Sequence, residues 1–85
     1  MNKEKINKAI DLLNMQVKNY NSLIERGYLD TAYNQLATIR GGIGVLDILA
    51  DVKTTYDWGG DSIKALAFFD ADGHEFARFN YGGRV

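Results

Sequence analysis

TAYNQLATIRGGIGVLDILADV, residues 31–52, holds three glycines within four positions (Gly41, Gly42, Gly44) and is apolar on nearly every side beyond Arg40. Its spacing still reads as a helix. Ala32, Leu36, Ile39, Ile43, Leu46 and Ala50 alternate steps of three and four, the seam of a helix packed against another. A helix that is apolar on two sides needs cover on two sides, so the rest of the chain should pack around this one.

The preceding stretch supplies the first partner. Asn2 is a natural N-cap and Gly27 a stop signal, and between them Ile6, Ile10, Leu13, Val17, Tyr20 and Ile24 form a second seam. Ala9, Leu12 and Leu23 widen it, while Lys3, Asn7, Lys8, Asp11, Met15, Lys18, Ser22 and Glu25 fall on the opposite face. Asp30 is the expected N-cap of the second helix, with Leu29 in its seam. Folding back at Tyr28 pairs Ile24 with Ala32, Tyr20 with Leu36, Val17 with Ile39, Leu13 with Ile43, Ile10 with Leu46 and Ile6 with Ala50. These layers predict an antiparallel helical hairpin over 2–26 and 30–52. The intervening GYLDTA, residues 27–32, resembles the turn between paired helices of a tetratricopeptide repeat. That likeness implies the hairpin and nothing more.

On the other side of the second helix, Ala37, Gly41, Gly44, Val45, Ile48 and Val52 cluster opposite the seam. Each helical glycine costs about 1 kcal/mol relative to alanine, and close approach of another backbone to a small-residue groove would offset that. Ala37, Gly41, Gly44, Val45 and Ile48 are therefore the candidate helix-packing or oligomer groove. A break at Gly41-Gly42 is disfavoured because Ile43 keeps register with Ile39 and Leu46.

From Lys53 the period becomes alternating. Thr54–Trp58 reads as a short strand or extended arm, Gly59-Gly60-Asp61 as a turn, and 62–69 and 74–81 as strands around Asp70-Ala71-Asp72-Gly73. Strict alternation pairs Phe68 with Phe76, Leu66 with Arg78 and Phe69 with Glu75. It turns Ile63, Ala65, Ala67, Phe69, Ala77, Phe79 and Tyr81 toward a helix, and Leu66, Phe68, Phe76 and Arg78 outward. The fold class is α+β: one domain, a long helical hairpin followed by a small antiparallel sheet over 54–81 packed on the second helix, with a tail at 82–85.

Composition narrows the functional classes. Residues 1–53 carry seven Lys/Arg against six Asp/Glu and residues 54–85 carry three against five. Neither half is a polycation, which weighs against nucleic acid. No apolar run has the length of a transmembrane helix, so no membrane partner and a cytoplasmic location are expected. One His and no Cys exclude Cys-ligated zinc. The glycine cluster lacks the Lys-Ser/Thr of a P-loop and follows helix, not strand. Asp70-Ala71-Asp72-Gly73 lacks the later ligands of a calcium loop, since Phe79 stands where its glutamate belongs. No nucleophile is tied to His74, so neither catalytic residue, cofactor nor metal is expected.

An outward face with Leu66, Phe68, Phe76 and Arg78, and Trp58 and Tyr56 beside it, would be an interaction surface: first the protein's own dimer core, or else a seat for a foreign protein. Stacking of a nucleotide-like signal on it, with Arg40, Arg78 and Arg84 as anion contacts, is the narrower version. In size and layout the Cys-free, Pro-free chain resembles accessory proteins of bacteriophages and mobile elements. That likeness implies a non-enzymatic homo-oligomer that inhibits or sequesters a host protein or signal. A structural or regulatory oligomerisation module is the alternative, and a small enzyme comes third.

Overall fold

The structure, a computed structural model, describes residues 2–82; residues 83–85 of the expected tail, Arg84 among them, lie beyond these. Helices α1 (Lys3–Glu25) and α2 (Leu29–Ala50) precede strands β1 (Lys53–Gly59), β2 (Ser62–Phe69) and β3 (Glu75–Asn80). The strands form an antiparallel sheet in the order β1-β2-β3. It lies across the helical hairpin, with β2 against α1 and β1 against α2. The α+β architecture is as expected, but the sheet spans both helices and leaves the back of α2 open.

Local chemistry sets each boundary. The Asn2 side chain accepts from the Lys5 N–H at 2.8 Å, capping α1. At the other end Gly27 has φ 81, its N–H bonds the Ile24 carbonyl, and the Tyr28 N–H bonds that of Leu23. This is a Schellman closure, in which a side-chain-bearing residue at Gly27 would cost about 1–2 kcal/mol. The closure delivers the chain directly into α2, so Tyr28 occupies the cap position and offers no side-chain bond. Asp30 lies inside the first turn and is not the N-cap. There its charge still favours the helix dipole.

The two seams meet as their spacing predicts. Ile10, Leu13, Val17 and Tyr20 of α1 are buried with Ala32, Ile39 and Leu46 of α2, and Ile6, Ile24, Leu36, Ile43 and Ala50 pack at the margin. Asn19 Nδ2 donates to Gln35 Oε1 at 2.9 Å across the pair, within a turn of the deduced register. Leu29 is exposed instead of buried. α2 runs unbroken through its glycines. Gly42 is the one that allows close approach: a Cβ there would lie 3.0 Å from Leu13 Cδ2. The helix ends at Ala50 with Asp51 at φ 52, which swings Val52 into the core and starts β1 on the sheet side.

The Asp70–His74 turn is the expected one. Asp70 and His74 pair through the Asp70 N–H, Gly73 has φ 83, and Asp70 Oδ1 accepts from the Asp72 and His74 N–H groups. Beyond it the register departs from strict alternation. Phe69 pairs with Glu75 but Phe68 pairs with Ala77, leaving Phe76 as an extra residue. In the other hairpin Asp57 pairs with Ala65 and Trp58 with Ile63, leaving Lys64 extra. Each bulge reverses the facing of the residues beyond it.

Candidate interaction surface

The two bulges overturn the expected outer aromatic face. Leu66 and Phe68 are 0% exposed and belong to the core. Their cross-strand neighbours Tyr56, Phe79 and Ala77 share that helix-facing side. Trp58 joins them, its ring edge-on to Tyr20 at 6.3 Å and tilted against Tyr56 at 5.6 Å. Phe76 is 45% exposed at its bulge. The side facing away from the helices carries Thr55, Asp57, Arg78 and Asn80 around the small, buried Ala65 and Ala67, and is therefore largely polar. Of the six residues expected there, only Arg78 sits squarely on it.

The three arginines within the described residues do not converge. Arg26 stacks over the Tyr28 ring at 5.1 Å, at the helix turn. Arg40 lies midway along α2 near Tyr56, whose hydroxyl is pushed up by burial and drawn back by that guanidinium. Arg78 is on the far side of the sheet, bonded to Glu75 at 2.8 Å. Its guanidinium is raised by that bond and by Asp57. An anion cleft built from these side chains has no geometric basis.

Two polar side chains of α1 reach the β1–β2 hairpin. Asn21 Nδ2 donates to the Ile63 carbonyl and Asn21 Oδ1 accepts from the Ile63 N–H, both at 2.8 Å. Tyr20 Oη donates to the Asp61 carbonyl at 2.7 Å, and burial raises its pKa, with Tyr33 and Asp61 adding to the rise. Neither residue appeared among the sequence candidates. An open cleft of about 590 Å³ beside them, lined in part by Asn21, Lys64, Tyr81 and Gly82, is walled by groups already holding the fold together. Asp70, Asp72 and His74 offer ligand atoms within 4.8 Å of one another, but one Asp70 oxygen already braces the turn.

What remains unsatisfied is the surface of the helical layer away from the sheet. Ile48 is 83% exposed, Leu49 60%, Leu12 54% and Val45 49%. Between the helices an apolar groove of about 310 Å³ is lined by Leu12, Thr38, Gly42 and Val45 among others. Beside it, Ala37 and Gly41 are exposed and Gly44 half-buried. A Cβ added at Gly41 or Gly44 would meet nothing within 4 Å among the described residues. The small-residue back of α2 is therefore present as expected, and the chain's own sheet does not cover it. No helix among the described residues is long and apolar enough to cross a membrane.

No protein-family model matches this chain, and no curated protein or solved structure matches it.

Proposed function

We propose that this chain is a non-enzymatic binding protein that works as a homo-oligomer and engages its partners through the helical layer. The observation that carries this reading is the run of large apolar side chains, Leu12, Val45, Ile48 and Leu49, on the side away from the sheet. Apolar surface that is contiguous and left open marks a place where another molecule sits. The groove beside Leu12 and Val45 is walled almost wholly by carbon and suits an apolar helix or peptide. A nucleotide-like signal fits less well, because Arg40, near Tyr56, and Arg78, bonded to Glu75 on the far side of the sheet, lie apart. The biological setting favoured by size and layout remains inhibition or sequestration of a host factor, of the kind performed by phage accessory proteins. The alternative, an oligomerisation module, uses the same surface for self-association alone.

Capture from bacterial lysate with the whole chain tests the reading, with Leu12→Glu/Val45→Glu run in parallel. A binding protein should retain a defined protein that the double variant loses while keeping its circular dichroism spectrum. Equal capture by both would remove the helical layer from the mechanism. Capture of nothing, with sedimentation showing dimers, would favour the oligomerisation module.

A further inference from the structure

The back of α2 is self-complementary, and we infer that two copies of this chain pair there. The α2 helices run antiparallel about a two-fold axis centred between Gly42 and Ile43. The inference rests on the homo-oligomer reading above and gives it an interface.

Three observations lead to a second copy and not to a foreign partner. The first is shape. At about 100° per residue, Ala37, Gly41, Gly44 and Ile48 fall on one stripe about 60° wide. Read backwards about the Gly42–Ile43 midpoint, the stripe maps onto itself. Gly41 lies opposite the partner's Gly44, and Ala37 opposite the partner's Ile48. The only large side chain of the stripe, 83% exposed in the single chain, thus meets a small one on both sides of the axis. An isologous contact requires this kind of palindrome, whereas a foreign partner does not.

The second observation is charge. Arg40 and Asp47 lie on the same flank of α2, toward β1. The antiparallel register sets Arg40 near the partner's Asp47, twice per dimer. Asp47 is held by Lys53 through one oxygen, Oδ1, and the other is not used in that bond. A parallel two-fold pairing would instead put Arg40 and the partner's Asp47 on opposite sides of the interface, with no such ion pair.

The third is the glycines themselves. Gly42 is accounted for by Leu13 within the chain. Gly41 and Gly44 weaken the helix, and a Cβ at either would meet nothing within 4 Å among the described residues, yet they sit where two backbones would come closest. The groove beside Leu12 lies about a quarter-turn away, so pairing leaves both copies of it accessible to a foreign partner.

The chain has no cysteine, which makes cross-linking clean. Sedimentation equilibrium of the whole protein should show a dimer, and Ile48→Glu should convert it to monomer with an unchanged circular dichroism spectrum. Under mild oxidation, Ala37→Cys mixed with Ile48→Cys should form a mixed disulfide, while each alone should form little. In the proposed register two copies of the same position lie about 16 Å apart along the helix, beyond disulfide reach. A dimer that Ile48→Glu leaves intact would overturn the interface and leave the oligomer reading standing, as would strong homodisulfides from Ala37→Cys alone. A monomer at every concentration would overturn both.

Discussion

Asn21 carries more of the structure than its place in the sequence suggests. Its amide satisfies both backbone groups of Ile63, at a point of β2 that the β3 pairing, ending at Ala65 and Asn80, does not reach. Asn21→Ala should destabilise the protein by about 2–3 kcal/mol, since two part-buried backbone groups lose their partner. Urea unfolding followed by Trp58 fluorescence measures it. Tyr81 makes the opposite case: its hydroxyl is buried with no partner among the described residues, and burial pushes its pKa up to about 12. The unfolded chain ionises that group near pH 10, so the folded state holds the proton longer. Stability is therefore intact below pH 10 and falls as pH rises from 10 to 12. Tyr81→Phe should flatten melting temperature against pH over that window, though burial of Tyr20 and Tyr56 leaves some slope. Asp51, at φ 52, also adds negative charge to a helix C-terminus. Asp51→Gly should stabilise by about 0.5–1 kcal/mol by thermal melts.

At the scale of elements, the helices were legible and the sheet faces were not. In α1 and α2, apolar and polar residues keep a period that only one packing satisfies, so seam, turn and register followed from spacing. The Gly27 stop and the Asp70–Gly73 turn followed from residues with few other conformational uses. β2 gives no such guidance: Ala65-Leu66-Ala67-Phe68-Phe69 is apolar on both faces. Its facing was then inferred by counting from the turns, and the bulges at Lys64 and Phe76 break that count. A bulge depends on how two strands are pulled against a third layer, here by Asn21 and the core, and no local residue type announces it. The inversion has a direct test. Leu66→Ala should cost about 3–5 kcal/mol, as cavities in a packed core do, while Phe76→Ala should cost about 1 kcal/mol or less. Comparable losses would restore the unbulged register. The back of α2 was likewise visible on a helical wheel, but whether the sheet covered it depended on where Asp51 sends the chain.

The whole molecule is built from neighbours. α1 meets α2 across a three-residue connection, and each strand pairs with the next in the order β1-β2-β3. Such a layout has two layers, each nearly complete by itself, and the polar joints between them are few. Tyr20 and Asn21 reach residues 41 and 42 positions away. Every other side-chain hydrogen bond noted between elements is closer in sequence. This separation bears on the order of folding. Contacts local in sequence form quickly, so the helical hairpin and the strand meander can each gather before the long loop between Asn21 and Ile63 closes. If docking of the two layers follows the main barrier, Asn21→Ala will speed unfolding and leave the refolding rate almost unchanged. Stopped-flow refolding monitored at Trp58 would read that ratio, and a matching slowdown in refolding would instead put the Asn21 joint inside the folding nucleus.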